Sequence, residues 1–119
     1  MSCYSKIKQC FLISVALGFS SLALANDCGE PPAAPALVDG ATVTMDEIVA
    51  NSEQVKAYIA SADQYLDCRE QVIPTEEFLA RPEAEQESYK ADNKAVLDKR
   101  NGIGDEFNAE VAAFKKANP

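Results

Sequence analysis

Residues 44–69 read TMDEIVANSEQVKAYIASADQYLDCR and predict one long amphipathic helix. Thr44 and Glu47 have the Thr-x-x-Glu spacing of a capping box, which marks a helix N-terminus. No glycine or proline interrupts the segment, and Ser52 stands at the polar gap in its apolar stripe. The apolar side chains of that stripe recur at helical spacing: Met45, Ile48, Val49, Val55, Tyr58, Ile59, Ala62, Tyr65 and Leu66.

A second long helix is predicted over 83–117, after a connection that holds a short helical turn at 75–80. Pro82 followed by Glu83 is favourable chemistry for a helix start. Gly102 and Gly104 leave two alternatives: one helix, with or without a kink, or a break and a restart at Asp105. The apolar stripe keeps its phase across both glycines, which favours one helix: Tyr89, Val96, Ile103, Phe107, Val111 and Phe114.

The first 25 residues predict a cleavable secretory signal. Lys6 and Lys8 precede an apolar run, and Ala23-Leu24-Ala25 forms an A-x-A cleavage site. The run of about 15 residues is shorter than the ~20 that a membrane-spanning helix needs. We therefore expect a mature chain that begins at Asn26, is periplasmic or secreted, and has no stable membrane anchor.

Cleavage would leave two of the four cysteines, Cys28 and Cys68. An even pair in an oxidising compartment predicts one disulfide. A catalytic or metal-binding pair of thiols is the alternative, and the lack of histidine in the chain weakens it. The bond would close a loop of about 41 residues, which the chain-entropy model values at about 4 kcal/mol.

The length of the proline-containing segment 26–43 predicts how it packs. Prolines exclude a helix interior there, and the disulfide ties its start to Cys68, near the far end of helix 44–69. That helix spans about 39 Å, and fifteen extended residues cover about 46 Å, so the segment can run back along the helix. We therefore predict an all-α fold: an antiparallel two-helix hairpin, 44–119, with an extended N-terminal strap, 26–43, pinned by one disulfide. Leu37 and Val38 should fill the groove of the hairpin.

Four stretches of the chain resemble a family of small exported proteobacterial helical proteins. They are PALVDGAT at 35–42, VKAYI at 55–59, YLDC at 65–68 and EFNAEVAAFK at 106–115. The resemblance covers most of the mature chain and implies a signal peptide, a proline-containing strap and two helices. The glycines at 102 and 104 depart from the more helical residues expected there. It implies no activity, substrate or site residue.

The composition excludes several classes of function. Residues 26–119 keep 9 of the 11 basic side chains and all 19 acidic ones, so their formal net charge is −10. Such a surface repels nucleic acid. Without histidine, Ser-His-Asp and Cys-His catalytic arrangements are absent. We predict no catalytic, cofactor or metal site, and we interpret the many paired acids as a solvated surface.

Two functional hypotheses remain. The first is a non-catalytic periplasmic interaction or structural module, acting as a homodimer or bound to a periplasmic protein partner. Its predicted interaction surface lies on the last helix: Ile103, Phe107, Val111 and Phe114. The second is a small-ligand carrier or an enzyme that uses acidic and tyrosine side chains. Tyr58 and Tyr65 could form an aromatic platform for it, but core packing is the favoured interpretation.

Overall fold

The computed structural model describes residues 28–119, and the predicted signal segment lies outside them. The regular structure of the described chain is helical throughout: α1 spans Met45–Val72, α2 spans Glu76–Leu79 and α3 spans Glu83–Ala117. Residues 28–43 form an extended strap before α1. The predicted all-α fold class is confirmed.

Helix α1 begins at the predicted capping box. The backbone amide of Thr44 donates to Glu47 Oε2 at 2.8 Å, and the Glu47 amide donates to Thr44 Oγ1 at 3.3 Å. The first of these bonds holds the pKa of Glu47 below its usual value. The helix continues three residues past its predicted end at 69, because Val72 is buried and its carbonyl accepts from Thr75 Oγ1 at 2.6 Å.

Helix α3 is continuous through Gly102 and Gly104, so it neither ends nor restarts there. Two glycines inside a helix cost about 1 kcal/mol each relative to alanine. A Cβ on Gly102 would have no neighbour within 4 Å, and one on Gly104 would meet only Ile59 Cδ1, at 3.9 Å. Packing within the chain therefore requires neither glycine.

The two long helices pack against each other in antiparallel register. At mid-length, the Arg100 guanidinium donates to both carboxylate oxygens of Asp63, at 2.9 and 3.0 Å. Nearer the connection, Arg69 donates to Asn93 Oδ1 and, at 3.2 Å, to the carbonyl of Tyr89. The hydrogen bond to Asp63 raises the pKa of Arg100.

Helix α2 packs against the first turns of α3. Phe78 is fully buried and contacts Tyr89 edge to face, with ring centroids 5.1 Å apart. The Arg69 guanidinium stacks over the Tyr89 ring, with its central carbon 3.7 Å from the ring centre. Burial raises the pKa of Tyr89, and the positive charge of Arg69 opposes that rise. This end of the hairpin is therefore closed by a structural aromatic cluster.

The strap runs antiparallel to α1, as its length predicted. Cys28 is bonded to Cys68, with Cα atoms 5.8 Å apart. Further along, Asn51 accepts from the Val38 amide at 3.2 Å and donates to the Ala36 carbonyl at 2.9 Å. The strap is thus held at both ends of α1, and the predicted hairpin with a disulfide-pinned strap is confirmed.

Leu37 and Val38 are half-buried, and the buried residue of the described strap is Gly40. Its amide donates to Glu110 Oε2 at 2.7 Å. An added Cβ would lie 1.8 Å from the Glu110 carbonyl oxygen, closer than any two such atoms approach. The strap therefore crosses the backbone of α3 at a point where only glycine fits.

The predicted stripe of α1 is wrong at its beginning. Met45 and Val49 are 60% and 52% exposed, although their spacing placed them with the packed residues. Asn51 is instead 2% exposed and replaces Ser52 as the polar position of the packed surface. The strap causes this difference, because it lies against the side of α1 that carries Asn51 and leaves the side that carries Val49 uncovered.

Candidate functional site

The strap divides the hairpin into two unlike faces. On the covered face, Pro31 and Pro32 line a depression together with Tyr58, and Glu30 lines another together with Tyr65. Both tyrosines are buried, and desolvation raises the pKa of Tyr58. Core packing of these two tyrosines is thereby confirmed, and they do not form an exposed aromatic platform.

The opposite face, which we call the open face, carries an apolar groove between the start of α1 and the end of α3. Its volume is about 260 Å³. Asn51 and Ser52 mark the division between the faces, because the first bonds to the strap and the second lines the groove. The lining is apolar apart from one serine and one lysine: Met45, Ile48, Val49, Ser52, Phe107, Val111, Phe114 and Lys115.

A second depression continues the groove toward the middle of the hairpin. It has a volume of about 320 Å³ and shares Ser52 and Phe107 with the first. Ile59 and Gly104 form its far end, and Lys56 provides its charged side chain. The two depressions together follow about 15 residues of α1, or about 21 Å.

The structure brings together three of the four residues predicted as an interaction surface. Phe107 and Val111 are half-buried and form one wall of the groove, while Phe114, 7% exposed, lies at its base. Ile103 is also half-buried but does not line the groove. That surface stays a prediction, since the structure holds no partner.

The second wall of the groove was missed by the sequence analysis. It comes from α1 and carries the two most exposed apolar side chains of that helix, Met45 and Val49. Their spacing was visible, but helical periodicity does not tell which part of a wide apolar stripe a third segment covers. Leu97 is also 43% exposed on the same side of α3, seven residues before Gly104.

The groove offers contact area rather than reactive groups. Its walls hold no carboxylate, and the charged side chains along it are Lys115 and Lys56. Within residues 28–119, no three acidic, cysteine or histidine side chains are grouped so that they could hold a metal ion. Across the same part of the chain, no helix is long and apolar enough to cross a membrane.

No family model matches the chain, and comparison with curated proteins and with solved structures finds no match. The family resemblance stays a prediction.

Proposed function

We propose that this protein is a non-catalytic interaction module that docks another helical protein surface in the apolar groove of its open face. The observation that carries the proposal is the exposure of Met45 and Val49 above a groove with apolar walls. The strap packs on the other face of the hairpin, and Phe78 of α2 packs on Tyr89, so the open face is where a further helix could pack along both long helices. Amphipathic helices commonly bind such grooves.

The shape of the groove favours a protein partner over a small ligand. Pockets for drug-sized molecules are concave and bury most of the ligand. The two depressions of the groove, of about 260 and about 320 Å³, instead lie along the open surface between two helices. A carrier or an enzyme that uses tyrosines has less support, because Tyr58 and Tyr65 lie under the strap.

The disulfide supports a place outside the reducing cytoplasm. Together with the predicted signal segment, it leads us to propose a periplasmic or secreted protein that begins at Asn26. The intact mass of the exported protein tests this. A mass that matches a start at Asn26 and one disulfide is expected, whereas a mass that retains residues 1–25 would contradict it.

Site-specific photo-crosslinking in living cells tests the docking role. A photoreactive amino acid replaces Val49 in one variant and Ala57 in another, since Ala57 is exposed on the same helix but does not line the groove. We expect discrete crosslinked products from position 49 and none from position 57. Equal products from both positions, or none from position 49, would contradict a docking role for the groove.

A further inference from the structure

We infer that the occupant of the open face is a second copy of this chain, so that two hairpins pack open face against open face as a four-helix bundle. The inference rests on the proposed docking role of the groove and names its partner. It follows from the incomplete burial of α3, the size of the open face and the positions of its exposed side chains.

Helix α3 is incompletely buried by its packing against α1. Among its 35 described residues, Phe114 is the one that is buried. Leu97, Gly104 and Val111 follow one another at seven-residue spacing, which is the repeat of helices packed in bundles. Leu97 is 43% exposed and lies outside the groove. The row formed by Leu97, Gly104 and Val111 therefore extends farther along α3 than the groove does.

The open face has the area that a stable dimer needs. The 28 residues of α1 are about 42 Å long, and two adjacent helices are about 20 Å wide, which gives a face of roughly 800 Å². Stable interfaces bury about 800 Å² on each partner. A single short docked peptide would leave much of this face uncovered, whereas a second hairpin of the same dimensions would cover it.

The positions of the exposed side chains on the open face also suit a two-fold arrangement. Met45 and Val49 are exposed where α1 begins. Leu97 is exposed toward the other end of the hairpin, about one turn from Arg100, which bonds to Asp63 of α1. Such interfaces pair the same two patches twice. With two antiparallel copies in full overlap, the exposed side chains at the start of α1 in each copy would therefore face the region of Leu97 in the other.

The negative charge of the chain predicts that salt strengthens the dimer. Residues 26–119 carry 9 basic and 19 acidic side chains, so each copy has a formal net charge of −10. Two such surfaces repel each other at low ionic strength, and salt screens that repulsion. Self-association should therefore strengthen as salt is added, whereas binding of a cationic partner would weaken.

Analytical ultracentrifugation of the exported, disulfide-bonded protein tests the inference, with three variants. Val49→Glu and Leu97→Glu place a charge on the open face, and Ala57→Glu adds the same charge on α1 outside the groove. We expect a dimer whose dissociation constant is lower at about 0.5 M salt than at about 0.05 M salt. Each open-face variant should raise that constant at least about tenfold, and Ala57→Glu should change it less than about threefold. Circular dichroism verifies that each variant is folded, and two open-face positions guard against a single unfolded variant.

A protein that stays monomeric at both salt concentrations, or an Ala57→Glu variant that dissociates as readily as Val49→Glu, would overturn the inference. The crosslinking experiment separates this failure from failure of the docking role. Crosslinks from position 49 to a different protein would leave the docking role standing and refute the second copy. Absence of any crosslink would refute both.

Discussion

Two residues decide where the strap lies. Asn51 is a buried amide in an apolar surface, and it bonds to strap backbone on both its oxygen and its nitrogen. Gly40 lets the strap touch the backbone of α3 at Glu110. An extended segment has few partners for its backbone groups, so these contacts fix its position along the hairpin.

Replacing Asn51 with Ala should lower the free energy of unfolding by about 1–3 kcal/mol, because the strap loses two hydrogen bonds. Hydrogen exchange should show loss of protection at the Val38 amide, which donates to Asn51. Gln54→Ala is the control, since Gln54 is exposed and bonds to Asn51 but not to the strap. A Val38 amide that stays protected in Asn51→Ala would refute this role.

Gly40 and Gly102 should respond to alanine in opposite directions. Gly40→Ala places a methyl group 1.8 Å from a backbone oxygen and should destabilise the fold by about 2 kcal/mol or more, or displace the strap. Gly102→Ala meets nothing within 4 Å and should stabilise α3 by about 1 kcal/mol. Denaturant unfolding measures both, and equal effects of the two substitutions would show that the strap does not cross α3 at Gly40.

Tyr58 should make the fold sensitive to alkali. Burial raises its pKa in the folded chain above that of an unfolded tyrosine, about 10. Its stabilising contribution is therefore complete below that pH and is lost as pH rises through the folded value. The free energy of unfolding should decline less steeply above pH ~10 in Tyr58→Phe than in the unchanged protein. Identical declines would mean that Tyr58 is not buried under the strap.

At the scale of elements, the strap acts as a third layer on one side of a two-helix hairpin. It contributes no regular secondary structure, yet it covers Tyr58 and approaches α3 as well as α1. Two helices alone leave both of their broad faces in water. The strap removes one of those faces from solvent, and the disulfide limits how far it can move away.

Cys28→Ser should lower the free energy of unfolding by about 2–4 kcal/mol, because the unfolded chain is no longer cross-linked over a separation of 40 residues. Helix content should fall little, since the contacts between α1 and α3 remain. Loss of exchange protection should concentrate in residues 28–43.

Thiol titration of the denatured exported protein provides the check on the bond itself. Two free thiols would refute it. An intact bond with an already unprotected strap would leave the disulfide standing and refute the packing of the strap against α1.

At the scale of the whole molecule, the sequence predicted what depends on local signals and on length. Thr44 and Pro82 mark helix starts through their own chemistry, and the reach of residues 28–43 determined the direction of the strap. Helix-start chemistry and strap length did not predict which face of the hairpin the strap covers. That face depends on the angle at which the strap lies around α1, and neither periodicity nor length specifies that angle. For the same reason, Met45 and Val49 were assigned to the packed surface, and the burial of Asn51 was missed.

Hydroxyl-radical footprinting at a protein concentration low enough to keep the chain monomeric tests the central claim, that the strap covers one face and leaves the other open. In the unchanged protein, Met45 should be oxidised readily, and Tyr58 and Phe78 should be protected. In Cys28→Ser, Tyr58 should become reactive, while Phe78, which belongs to α2 and packs on Tyr89 rather than on the strap, should stay protected. Protection of Met45 in the monomer, or unchanged reactivity of Tyr58 when the strap is released, would contradict the account.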